Sequence, residues 1–102
     1  MMRTLRISAR AQRQLREISA YILRESGHRE VATAFRRRLV AKARQLAELP
    51  GTLGTARPEL GPGIRSTPMG NYILVFRYAQ GTVDLLAVLH ASRDVASHFD
   101  PD

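Results

Sequence analysis

A chain of 102 residues is long enough for one modest hydrophobic core, and without a cysteine it has neither a disulfide staple nor a thiolate nucleophile. At 44% hydrophobic and 25% charged residues it is expected to fold rather than stay disordered, and no stretch nears the roughly 20 apolar residues that span a bilayer. The net charge of +7 is lopsided, because residues 1–50 carry twelve Lys/Arg against four acids and residues 51–102 carry four against five.

Leu5 and Ile7 alternate with Arg6 and Ser8, a period of two that predicts a short first strand. Ser8 then stands where a hydroxyl can accept from an unpaired early N–H, so a helix is expected from about Ala9 to Glu25. Ala11, Leu15, Ile18 and Ile22 form its apolar stripe with Tyr21 beside it, and Gly27 supplies a left-handed stop. A second helix is predicted from about Arg29 to Glu48, with Val31, Ala32, Phe35, Leu39, Ala43 and Leu46 as its buried stripe and Pro50-Gly51 as its end. The short Ser26-Gly27-His28 link makes the two helices an antiparallel hairpin. Neighbours on a helix lie 100° apart, so Arg36, Arg37 and Arg38 cannot share one face. Arg37 and Arg44 are expected to point outward, with Arg36 and Arg38 flanking the stripe.

Residues 50–63 hold four glycines and three prolines and read as irregular structure, a loop long enough to suggest a functional or partner-contacting role. Three strands follow, at about Ile64–Pro68, Tyr72–Ala79 and Thr82–His90, joined by Met69-Gly70-Asn71 and Gln80-Gly81 as an antiparallel meander. In the middle of these, Ile73 and Val75 face one side while Leu74, Phe76 and Tyr78 face the other. One side packs on the helices, and the other needs cover from the C-terminal segment or from another protein. Residues 94–102 read as a polar tail. The expected fold is α+β: an N-terminal strand and an antiparallel helix hairpin packed on a three- to four-stranded antiparallel sheet, as one domain over residues 1–102.

Several chemistries lack their residues. There is no HExxH or other metal-ligand spacing and no phosphate-cradling Gly-Lys-Ser/Thr loop, and His28, His90 and His98 are scattered, so no cofactor or metal is expected. What remains is basic. Arg57 and Arg65 flank the loop, Arg77 lies mid-meander, and His90 and Arg93 follow the last strand. Metal-free RNA cleavage needs a base, an acid and cations for the phosphate. If Arg65, His90 and Arg93 converge at one end of the sheet, they could supply these. The alternative is structural: a strand-end arginine pairs with a carboxylate such as Asp84 or Asp94, and His90 caps its strand. The basic helical half attracts nucleic acid or an acidic protein at long range, or else simply spreads arginine over solvated helix faces.

The order of these features resembles the ParE branch of the RelE/ParE toxin superfamily. The resemblance rests on the helix hairpin, Leu49-Pro50, Arg57-Pro58-Glu59-Leu60, Gly63-Ile64-Arg65, Tyr72-Ile73-Leu74-Val75-Phe76-Arg77-Tyr78 and Val88-Leu89-His90-Ala91-Ser92-Arg93-Asp94. Relatives that cleave mRNA on the ribosome typically hold an arginine in the middle strand, where this chain has Ile73. They also tend to carry lysines or a glutamate ahead of the sheet and a tyrosine near the C-terminus. Here the one lysine is Lys42, within the second helix, and no tyrosine follows Tyr78. The resemblance therefore implies a non-catalytic toxin that inhibits DNA gyrase and is neutralised by an acidic ParD-like antitoxin in a hetero-oligomer. Arg36, Arg37, Arg57, Arg65, Arg77, His90, Arg93 and Phe99 are the candidate partner contacts, with Phe99 either facing gyrase or covering the open sheet face. On the nuclease alternative, Arg65, His90 and Arg93 would be catalytic; a third reading is a non-toxic, basic nucleic-acid-binding remnant. Met1 to Arg6 contain no apolar run of signal-peptide length, so a cytoplasmic location off the membrane is expected.

Overall fold

The computed structural model describes residues 3–92 together with Val95 and Phe99. Strand β1 (Thr4–Ile7) leads into helices α1 (Ala9–Ser26) and α2 (Arg29–Glu48). After these come β2 (Thr55–Ala56), a 3-10 helical turn (Pro58–Leu60), and strands β3 (Ile64–Met69), β4 (Tyr72–Ala79) and β5 (Thr82–His90). The helix signals act as their chemistry requires. Ser8 Oγ accepts from the Ala11 N–H at 3.0 Å, and Gly27 closes α1 at φ 73°. Leu49, the residue before Pro50, leaves α2 in an extended conformation because the proline ring disfavours a helical one.

The sheet has five strands in the order β1-β5-β4-β3-β2, more than the three or four expected. It is also not wholly antiparallel: the helix hairpin carries the chain across the sheet, so β1 returns beside β5 in parallel register, Thr4 opposite Thr82 and Ile7 opposite Leu85. The extra strand lies in the loop that read as irregular. Thr55 and Ala56 pair with Ser66 and Arg65, and Pro58 opens the 3-10 turn at a position where its missing N–H costs nothing.

Each face of the sheet carries its own apolar layer. Between the sheet and the helices lie Ala11, Leu15, Leu39, Ala43 and Leu46 against Leu74, Phe76, Val83, Leu85 and Val88. On the opposite face Leu60, Ile64, Val75, Ala87 and Leu89 are covered by Val95 and Phe99, with Ile73 and Leu86 packed against them. The alternation of β4 was read correctly. Val31 was not: it is exposed, because it lies about 100° round the helix from buried Ala32. In β5 the pairing passes from Phe76–Leu85 to Val75–Ala87, so Leu86 is the extra residue of a β-bulge.

Candidate functional site

A groove on the helix-facing side arises where β5 outruns β1. Their pairing ends at Leu85, and Ser8 closes it by three bonds. Its N–H donates to the Leu85 carbonyl at 3.0 Å, its Oγ donates to the Leu86 carbonyl at 3.1 Å, and the same Oγ caps α1. Beyond this point the edge of β5 faces α1, where Gln14 Oε1 accepts from the Val88 N–H at 2.8 Å. The gap between helix and strand edge is a groove of about 490 Å³, lined by Gln14, Glu17, Ile18 and Tyr21 of α1, Tyr72 of β4, and Val88, Leu89, His90 and Ser92.

Tyr72 and His90 meet edge to face in its wall at 5.3 Å between centroids, and Phe35 backs Tyr72 from the core at 5.1 Å. Partial burial pushes the Tyr72 phenol above the usual tyrosine range, and the nearby Tyr21 phenol adds to the shift. The Ser92 backbone N–H donates to His90 Nδ1 at 3.1 Å, so Nδ1 is an acceptor there and the neutral ring carries its proton on Nε2. Ser92 Oγ lies 2.7 Å from the same nitrogen. This is a local turn that orients the ring, as a strand cap does. None of the described lining residues is a lysine or arginine, so these residues offer phenols, an imidazole, an amide and one carboxylate over an apolar floor.

The candidate arginines lie elsewhere. Arg65 shares the helix-facing side with its cross-strand partner Phe76 and is spent on its own loop. Its Nε donates to the Leu53 carbonyl at 2.7 Å and its Nη2 to the Gly54 carbonyl at 2.9 Å. Arg57 pairs with Glu59 at 2.8 Å and donates to Ser66 Oγ at 3.2 Å. Arg77 lies between Ile64 and Asp84 in register, its stem over Gly63. Asp84 itself is gripped by Arg6 through two bonds of 2.8 and 3.1 Å, which hold its carboxyl below the usual range. Arg36 and Arg37 are exposed on α2. Phe99 is 8% exposed and packs on the second sheet face, with the Arg10 guanidinium 6.0 Å from its ring centroid. Arg93, Asp94 and His98 lie outside the described residues, as does most of the segment read as a polar tail.

The convergence at one end of the sheet that the nuclease alternative needs does not occur for Arg65 and His90. Arg65 stands opposite Phe76 and His90 opposite Tyr72, four positions apart along β4 and on strands either side of it. That separation is about 16 Å, from roughly 3.3 Å per residue and 4.8 Å per strand. Ile73, between Pro68 and Leu89 in register, sits in the apolar second face. Sequence reasoning singled out neither Gln14 nor Glu17 as site residues. They are surface positions on the helix, and only the end of β1 at Ile7 turns them toward β5.

Comparison with known proteins gives the same architecture. The sequence model described as "ParE toxin of type II toxin-antitoxin system, parDE" matches residues 5–95. Among solved structures, the chromosomal ParDE toxin–antitoxin system from P. aeruginosa is similar at a TM-score of 0.73 and 21% identity, over 87% of this chain and 96% of that one. The toxin–antitoxin complex RelBE2 from Mycobacterium tuberculosis is similar at a TM-score of 0.62 and 25% identity, over 91% of this chain and 95% of that one. No curated protein matches the sequence.

Proposed function

The chain belongs to the ParE toxin family of type II toxin–antitoxin systems, and from that premise we propose that it inhibits DNA gyrase and is held silent by an acidic, ParD-like antitoxin. The observation that carries the reading is the dispersal of Arg65, His90 and position 73 over different parts of the fold. His90 lines a groove with no lysine or arginine among its described residues, Arg65 is committed to the Leu53 and Gly54 carbonyls, and Ile73 lies in an apolar layer. A metal-free nuclease must bring base, acid and phosphate-binding cation within hydrogen-bond reach of one ribose phosphate. The backbones of Arg65 and His90 lie about 16 Å apart, and the Arg65 guanidinium is turned onto its own loop and not toward His90. On this reading the protein is not itself an enzyme.

The groove between α1 and β5 is the surface we assign to the antitoxin. Its apolar floor, phenols and open strand edge suit a segment that orders on binding. An acidic composition would be drawn in by the excess of arginine over the helical half. The solved neighbours are themselves toxin–antitoxin assemblies, which supports a hetero-oligomer. Among the described residues no helix is long and apolar enough to cross a membrane, and a cytoplasmic site of action follows from the target.

The test is direct. Purified chain is titrated into a gyrase supercoiling reaction, and in parallel into a translation extract whose mRNA is mapped for breaks. Loss of supercoiling with intact mRNA is expected, together with growth arrest and DNA-damage signalling on expression without antitoxin. Normal supercoiling at saturating protein refutes the reading. Codon-positioned breaks that vanish in His90→Ala would instead establish a ribosome-dependent endonuclease.

A further inference from the structure

The outward face of α2 has a chemistry that neither the groove nor the sheet uses. At 3.6 residues per turn, Arg29, Arg36, Arg37 and Arg44 fall within an arc of about 100° and run roughly 22 Å along the helix axis. All four are exposed, and among the described residues none forms an ion pair. The short side chains of Thr33, Val40 and Ala41 leave a shallow groove of about 540 Å³ along the helix, with Glu48 at its far end and Glu30 exposed on the same side in the first turn. We propose that this face binds the phosphate backbone of duplex DNA without reading its sequence.

Three features of the surface select that partner. Guanidinium forks match phosphate oxygens two at a time, and a linear row of fixed cations complements a linear polyanion that carries a charge about every 1.7 Å of its axis. The short intervening side chains let a phosphodiester approach close to the helix. No aromatic residue lines the groove, so it has no platform on which unpaired bases could stack, and single strands gain nothing beyond charge. An acidic protein segment fits less well. Such interfaces are anchored by large apolar or aromatic side chains, and none of the exposed ones (Tyr21, Leu23, Val31, Leu49) lines this groove. The surface thus divides the labour: protein contact at the α1–β5 groove, polyanion contact on the outside of α2. The inference rests on this face alone and stands whether or not gyrase is the target.

Fluorescence anisotropy of a labelled random-sequence duplex of about 20 base pairs, titrated with purified chain between about 50 and 200 mM salt, tests it. The variant is Arg36→Gln/Arg37→Gln/Arg44→Gln. The control is Arg13→Gln/Arg16→Gln/Arg24→Gln on α1, which removes the same charge from other exposed positions. With about 0.9 in slope per phosphate contact, the α2 variant is expected to flatten the log–log salt dependence by roughly 2.7 and to weaken binding at least tenfold. The α1 variant should do less than half of this. Thermal melts confirm that both remain folded. The proposal is overturned if the wild-type chain fails to bind duplex at the lowest salt, or if both variants lose affinity equally. It also falls if single-stranded oligonucleotide or a polyglutamate peptide binds more tightly than duplex at matched salt.

Discussion

Replacing Gly54 by alanine tests how the β2 hook is built. Gly54 has φ +76°, and a Cβ there would lie 2.6 Å from the Ser66 carbonyl oxygen and 2.9 Å from Phe76 Cζ. Neither neighbour yields easily, since Ser66 is laddered to both Thr55 and Val75 and Phe76 is fully buried. Gly51 has nearly the same φ, +77°, with nothing within 4 Å of its Cβ, and so isolates the conformational cost. A left-handed alanine costs about 1–2 kcal/mol, of which its stiffer unfolded chain returns roughly 0.4–1. Gly51→Ala should therefore lose about 0.5–1 kcal/mol. Forcing a methyl into packed surroundings adds about 1–3 kcal/mol, so Gly54→Ala should lose roughly 1.5–4. Urea unfolding of the two variants gives the difference directly, and at about 4–8 °C per kcal/mol thermal melts should separate them clearly. If the two variants agree within about 0.5 kcal/mol, the hook is not held against β3 and β4 as described.

Other consequences are equally open to measurement. Asp84 is held below the ordinary carboxylate range chiefly by its hydrogen bond from Arg6, so its contribution is full above the unfolded value of about 3.9 and fades as pH falls through the lower folded one. Asp84→Asn should accordingly flatten the fall of unfolding free energy below about pH 4, and an unchanged slope would discount the pair. Ser8→Ala removes both the α1 cap and the donor to the Leu86 carbonyl, and should cost about 1 kcal/mol in urea unfolding. Ile73→Arg puts a charge into the apolar second face; it should lower stability by about 1–3 kcal/mol and still produce no mRNA cleavage in a translation extract.

The elements with local causes could be read from the chain alone. The Ser8 cap, the Gly27 stop and the turn glycines bracket segments whose apolar period is either 3.6 or 2, and those signals need no tertiary context. What escaped depends on register. Thr55 and Ala56 become a strand only because Arg65 and Ser66 lie opposite them, and two residues have no period to detect. Arg65 and His90 both stand near strand ends, yet which ends coincide is set by the pairing of Arg65 with Phe76 and His90 with Tyr72. The groove escaped for a related reason. Gln14, Tyr72 and Val88 are distant in sequence, and only the early end of β1 leaves room between helix and strand edge.

The additional residue at Leu86 also sets which way the last four positions of β5 point. Val83 and Leu85 look toward the helices; an uninterrupted strand would continue with Ala87 and Leu89, turning His90 away. Instead Val88 takes the inward place, Leu89 joins Phe99 beneath the sheet, and His90 meets Tyr72. Excising that single leucine would remove the bulge and leave Val88, Leu89 and His90 on their present sides, so NMR should still register the Tyr72–His90 ring contact; keeping it while ironing the bulge out would exchange imidazole for isobutyl in the groove. The strand's parity, more than its composition, decides which side of the molecule owns the histidine.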